Sequence, residues 1–207
     1  GGWGNTVACV QCFVDGNETD TDKIPMSLNY GEEYTVSVNV GADMVRGFIN
    51  GEQIFQLGGE APANVFEGAA GFGHWSTEAY VDNLKVVSFT DGSVLYENTF
   101  DDASSLDDLK HDLATYSGGT YTGDPAVFEW EDGTLHQTDS SSTGVISYFG
   151  DTTWRNYIYS MDVMPVAGAE GATILGAINL DAPSYVLYNC GGWSNTKGCW
   201  QTYNAGT

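Results

Sequence analysis

Tyr34-Thr35-Val36-Ser37-Val38-Asn39-Val40 alternates apolar and polar side chains without a break. A strand sends successive side chains to opposite faces, so this period of two reads as a half-buried strand. Just downstream, Met44 to Ile49 and Gln53 to Leu57 flank Asn50-Gly51, a strong hairpin signal. The same grammar recurs outward along the chain. Ala79 to Ser88 and Ser93 to Thr99 flank Asp91-Gly92, and Phe128-Glu129-Trp130 and Thr134-Leu135-His136 flank Asp132-Gly133. Arg155 to Met164 puts Tyr157, Tyr159, Met161 and Val163 on one face, and Gly171 to Asn179 and Ser184 to Cys190 complete the set. One helical turn is expected at Ala103 to Leu109, with Ser104/Ser105 as caps and Leu106 and Leu109 inward. Many short strands with turns every eight to twelve residues predict an all-β sandwich.

A repeat frames this pattern. Gly1-Gly2-Trp3-Gly4-Asn5-Thr6-Val7-Ala8-Cys9 returns as Gly191-Gly192-Trp193-Ser194-Asn195-Thr196-Lys197-Gly198-Cys199, and the match continues through Gln11/Gln201 and Gly16/Gly206. The offset of 190 residues is the size of a domain rather than of a solenoid unit. The chain reads as slightly more than one period of a tandem array, opened inside a domain, with residues 191–207 repeating 1–17.

The 207 residues carry a net charge of −22, and only six lysines and arginines offset the acids. Such a surface repels phosphate, so nucleic acid and anionic membranes are not expected as partners. Charged residues are 16% of the chain, against about 25% in an average domain. Glycine, tyrosine, serine and threonine fill the difference, which suits a secreted β-protein. No apolar run approaches a membrane span, and with no initiator Met and no signal peptide the chain reads as a processed or excised mature segment.

Cys190 and Cys199 bracket the turn 191–198, and two strands leaving that turn would hold them opposite each other, a geometry that favours a disulfide. Cys9 matches Cys199 in the repeat, but no counterpart of Cys190 precedes it. Cys9 then pairs with Cys12, pairs with another chain or stays free.

Phe100-Asp101-Asp102 opens a second layer of pattern. It runs through Trp130-Glu131-Asp132-Gly133-Thr134-Leu135 and Gly150-Asp151-Thr152-Thr153-Trp154-Arg155-Asn156-Tyr157, then Ala169-Glu170-Gly171 and Tyr188-Asn189-Cys190-Gly191-Gly192-Trp193-Ser194-Asn195-Thr196. These motifs resemble the first half of concanavalin A-like (laminin G-like) domains, in particular the non-catalytic modules of bacterial α-L-arabinofuranosidases. The second half of such domains resembles Tyr30-Gly31-Glu32-Glu33-Tyr34-Thr35-Val36, Phe48-Ile49-Asn50-Gly51-Glu52-Gln53-Ile54, Gly68-Ala69-Ala70-Gly71-Phe72-Gly73 and Ala79-Tyr80-Val81-Asp82-Asn83-Leu84-Lys85-Val86. The resemblance implies a jelly-roll sandwich in swapped order, circularly permuted or strand-exchanged. Residues 1–90 supply its second half and 91–207 its first. It also implies an extracellular or cell-surface, bacterial, carbohydrate-binding or adhesin-type repeat. The alternative is a structural subunit of a filament, assembled when residues 1–17 of one chain enter the next.

Candidate glycan contacts are Trp193, Asn195, Trp75, Glu170, Trp154, Asn156 and Tyr188, because sugar rings stack on aromatic faces while their hydroxyls need amides or carboxylates. Core packing competes for Trp154 and Tyr157, and a structural carboxylate for Glu170. Asp82 is expected inward, sharing a face with Tyr80, Leu84 and Val86. The pairs Asp20/Asp22, Asp101/Asp102 and Asp107/Asp108 offer oxygen ligands for Ca²⁺ without an EF-hand spacing. No Glu-x-Asp-x-x-Glu strand and no Gly-x-Ser-x-Gly elbow is present, so no catalytic residue is assigned and an enzyme is not expected.

Overall fold

Alternation becomes strand wherever one face can be buried. The computed structural model describes residues 8–14, 17–24, 26, 28–42, 44–58, 67–112, 127–141, 143–168, 172–180, 184–191 and 197–204. For 8–24, 57–58, 75, 143–144, 184–191 and 197–204 the description is of the backbone. In chain order the strands are β1 (Ala8–Val14), β2 (Asn17–Ile24), β3 (Tyr34–Val40), β4 (Met44–Ile49), β5 (Glu52–Gly58), β6 (Ala69–Trp75), β7 (Thr77–Ser88) and β8 (Val94–Asn98). After a 3₁₀ turn at Ala103–Asp108 come β9 (Phe128–Glu131), β10 (Thr134–Gln137), β11 (Thr143–Phe149), β12 (Tyr157–Gly168), β13 (Ala172–Asn179), β14 (Ser184–Gly191) and β15 (Lys197–Asn204). The fold is all-β.

The strands form two sheets. One has the order β11-β6-β13-β14-β15-β1-β2, and the other β5-β4-β3-β12-β7-β10-β9, with β8 also paired to β7. The inward faces are those the alternation marks: Val36, Val38 and Val40 from β3, Tyr157, Tyr159, Met161 and Val163 from β12, and Phe72, Ala172 and Ile174 from the opposite sheet. Tyr157 ties the layers together. Its hydroxyl donates to the Ala69 carbonyl (3.3 Å) and accepts from the Ala177 amide (2.7 Å). Gly176 lets β13 lie close over β3, because a Cβ there would sit 3.0 Å from Val40 Cγ2.

Two hairpins form as expected. Asn50-Gly51 (φ 49° and 79°) and Asp132-Gly133 (φ 49° and 86°) place two successive residues at positive φ, the twist-matched turn that Asn-Gly and Asp-Gly favour. The Asp91-Gly92 connection is longer than a tight two-residue turn. β7 ends at Ser88 and β8 begins at Val94, and the loop closes through Ser88 N to the Ser93 carbonyl (2.9 Å) and the Asp91 carboxylate accepting from Ser93 N (3.0 Å). The expected helical turn is a 3₁₀ segment capped by Asp102, which accepts from Ser104 N (2.9 Å), rather than by Ser104 or Ser105. Leu109 is buried and Leu106 packs on the core.

β1 and β15 stand side by side, the one parallel pair among the described strands. Their register is Cys9↔Cys199, Val10↔Trp200, Gln11↔Gln201 and Cys12↔Thr202, so residues 190 apart in sequence are neighbours in space. β15 also pairs with β14, and β1 with β2, both antiparallel. The two copies therefore take adjacent places in one sheet.

Candidate functional site

The outer face of the β3-β12-β7-β10-β9 sheet carries rows of side chains set by strand register. One row runs Met164–Tyr80–His136–Glu129 across β12, β7, β10 and β9. The next runs Thr35–Asp162–Asp82 across β3, β12 and β7. Between these rows lies an open cavity of about 270 Å³, lined by Glu33, Tyr80, Asp82, Glu131, Asp132 and Asp162, with Thr134 and Met164 completing its wall.

Asp82 reaches this face through a bulge, which corrects the inward placement expected from parity. The ladder between β7 and β12 shifts between Ser160 and Asp162, and Asn83 adopts φ 53°. One extra residue resets the alternation, so Tyr80 and Asp82 face out while Leu84 and Val86 return to the core. Asn83 also serves the site. Its amide nitrogen Nδ2 donates to Asp162 Oδ2 (2.9 Å), and its backbone N–H donates to Asp82 Oδ1 (2.7 Å). Thr35 Oγ1 donates to Asp162 Oδ1 (2.6 Å), so both Asp162 oxygens are engaged.

At the other wall, Tyr80 stacks on His136 with ring centroids 4.1 Å apart and planes 15° from parallel. Tyr80 Oη donates to Glu131 Oε2 (3.1 Å). The His136 ring is held at both nitrogens by carboxylates, Nδ1 to Glu131 Oε2 (2.7 Å) and Nε2 to Glu78 Oε1 (3.2 Å). The aromatic ring at the groove is thus clamped before any ligand arrives.

The electrostatics are one-sided. Partial burial pushes the Asp82 carboxyl up, the Asn83 N–H opposes this, and the charges of Asp162, Glu33 and Asp101 add to the rise. Desolvation raises the Tyr80 phenol, helped by its bond to Glu131 and by that carboxylate's charge. A groove of carboxylate acceptors around a fixed aromatic suits ligands that bring hydroxyl donors and an apolar face, and repels anions.

Of the sequence candidates, Trp154 and Asn156 have described side chains, and both fall elsewhere. Trp154 is half-buried, meets Tyr157 edge-on (centroids 6.1 Å, 67°) and lies over Gly150, so it braces the core. Asn156 sits at φ 51° and its carbonyl accepts from Phe89 N (2.7 Å), a backbone turn role. Neither lines the groove. Trp75 and Tyr188 lie on β6 and β14 of the other sheet, where the backbone alone is described. Trp193, Asn195 and Glu170 lie outside the described residues. Alternation along β12 marks Asp162 simply as solvent-facing, and parity along β7 puts Tyr80 inward with Leu84 and Val86, so neither reads as a ligand until the bulge at Asn83 resets β7.

For the cysteines the backbone gives register. Cys199 faces Asn189 on β14, so Cys190 stands one position out of step with it, and Cys9 faces Cys199. Cys9 and Cys12 lie three residues apart on one extended strand, about 10 Å, beyond the Cα separation of about 7 Å that a disulfide spans. Among the described residues no three His, Cys, Asp or Glu side chains are grouped to hold a metal ion. Of the acidic pairs, Asp101 accepts from Thr99 Oγ1 (2.6 Å) and Asp102 caps the 3₁₀ turn. Among the described residues no helix is long and apolar enough to cross a membrane.

No protein-family model matches the chain. Over 130 residues it is 28% identical to an extracellular exo-alpha-L-arabinofuranosidase of Streptomyces chartreusis, a match covering 63% of this chain and 14% of that enzyme. The similarity is thus to a stretch of module size within a much longer glycosidase.

Proposed function

We propose that this chain is a non-catalytic, extracellular carbohydrate-binding module, a concanavalin A-like sandwich in permuted order. The observation that carries this reading is the Tyr80 groove: an aromatic ring fixed by His136 and Glu131, set among carboxylates that accept hydroxyls. The partial match to a secreted glycosidase points the same way, because it covers a segment far smaller than the enzyme. The antiparallel pairing of β7 with β8 across residues 89–93 supports the permuted order, since that loop joins strands that are neighbours in the sheet.

A module of this kind binds and positions; it does not cleave. Asp162 and Glu131 are already engaged as acceptors in fixed networks. Calorimetric titration with neutral arabino- and xylo-oligosaccharides tests the reading. Binding is expected for the native chain, and Tyr80→Ala is expected to weaken it about tenfold, the worth of roughly 1.4 kcal/mol of ring contact. Absence of binding to any neutral glycan, or release of reducing sugar on prolonged incubation, contradicts it.

A second reading is favoured by the register of β1 against β15. In a single copy of the repeat, one strand would pair with β14 on one side and β2 on the other. Here β15 makes the first contact and β1 the second. Both segments are thus specified for one position. We propose that β1 of one copy takes the position of β15 in another, which makes the chain a self-associating subunit of an extracellular filament. Proline at Gln11 removes a ladder N–H from β1. Light scattering should then show loss of concentration-dependent assembly with the fold retained, and undiminished assembly of Gln11→Pro would end this reading.

A further inference from the structure

A second hollow lies on the same outer face as the Tyr80 groove, at the other end of the strands. It holds about 150 Å³ and is lined by Asn39, Gly41, Met44, Arg46 and Phe89. The ladder places it. Tyr80 is level with Met164, and Asn39 with Ile158, six residues along β12, or about 20 Å at the rise of an extended strand. An oligosaccharide running along the strands would pass from one to the other.

Its chemistry is opposite to that of the groove. Phe89 is 49% exposed, and its backbone is pinned by its N–H to the Asn156 carbonyl (2.7 Å). It follows the last residue of β7 and offers an open ring. Arg46 Nε donates to Gln56 Oε1 (3.3 Å), a neutral acceptor that orients the guanidinium without cancelling its charge. Of the other described cations, Lys85 pairs with Glu97 (2.6 Å) and Arg155 with Glu67, while Lys110 Nζ lies over the Tyr148 ring, 5.7 Å from its centroid. No described residue forms an ion pair with Arg46, in a chain of 28 acids against six lysines and arginines. A ring to stack on, an amide at Asn39 and a guanidinium fork match a sugar bearing a carboxylate, which arginine binds through two parallel N–H donors.

We propose that the Phe89–Arg46–Asn39 hollow is a second subsite that takes a uronate sugar at one end of an otherwise neutral glycan. The inference rests on the module reading above and specifies its ligand. The net charge of −22 repels polyanions, so a single carboxylate is the form that fits. The acidic groove excludes it from the Tyr80 end, and the two sites together fix the direction in which the chain lies.

The test compares a xylo-oligosaccharide carrying one terminal glucuronate with the same molecule after its carboxyl is reduced to the alcohol, by calorimetry at physiological salt. The uronate form is expected to bind about fivefold more tightly, the upper range for an exposed ion pair. Arg46→Gln should erase that preference, bringing the two ligands to equal affinity, and Phe89→Ala should weaken both. High salt should shrink the difference. Equal affinity for the two ligands, or a preference that survives Arg46→Gln, overturns the subsite. In that case binding of the reduced form that still depends on Tyr80 leaves the module reading standing. If neither ligand binds, the subsite falls, and if arabino-oligosaccharides do not bind either, the module reading falls with it.

Discussion

At His74 the imidazole is fully buried, edge-on to Phe72 and Phe128 with centroids 6.4 Å away in each case. Neither ring nitrogen has a hydrogen-bond partner among the described residues. Burial without a counter-charge pushes its pKa down to about 4. The folded value lies below the ordinary 6.5, so between those limits the unfolded chain binds the extra proton. Stability is then full above about pH 6.5 and is lost progressively as pH falls toward 4, by on the order of 3 kcal/mol. His111, lowered by burial although a hydrogen bond with the Ile146 backbone and the charge of Asp112 oppose it, acts in the same direction. The lowered carboxyls of Asp91, Asp102 and Asp151 give stability that is fully present above the ordinary carboxylate range and is lost only as pH falls below it. Urea unfolding at pH 7 and pH 4.5 should show His74→Leu losing clearly less stability than the native chain, and an identical loss contradicts this account. Trp154 shows what sequence discloses at this scale. A tryptophan beside an alternating strand was readable as a core brace, whereas the groove role of Tyr80 depends on three strands meeting in register, which no local pattern encodes.

Among the elements, β3, β4, β12 and the Asn50-Gly51 and Asp132-Gly133 hairpins were legible, because each has one buried face and a turn whose chemistry is local. β6 was visible only as a family motif. Gly71 and Gly73 interrupt its alternation, since they make room for Ile146, Tyr148 and Ile178. β7 misled by one residue, for the bulge at Asn83 is a tertiary feature that carries Asp82 from the expected core to the groove. That bulge is the hinge of the site. A β-branched side chain is strained at φ 53° and cannot donate to Asp162. Asn83→Val is therefore expected to cost about 1–3 kcal/mol of stability and to weaken glycan binding through misplaced Asp82 and Asp162. Asn83→Gly should keep the backbone and lose less. If denaturation shows valine and glycine equivalent to asparagine, the bulge does not have this role.

For the whole molecule, the sequence disclosed an all-β architecture and a domain-length repeat. It did not disclose that the two copies lie adjacent and parallel with the repeat offset as their register. Within this chain the sheet is one strand wider for the second copy, and Cys9 lies level with Cys199. The acidic balance reaches the same scale. It keeps anions from the Tyr80 end, and on that face Arg46 has no ion pair with a described residue while Lys85 is paired with Glu97. The claim on which the functional account turns is that glycans lie along the outer face of the β3-β12-β7-β10-β9 sheet. Titrating the isotope-labelled chain with a neutral arabino-oligosaccharide and following backbone amide shifts tests it most directly. The account predicts saturable shifts at Tyr80, Asp82, Asn83, Glu131 and Asp162, with the buried amides of β13 unmoved. Shifts confined to the β13-β14-β15 sheet, or none at millimolar ligand, would contradict it.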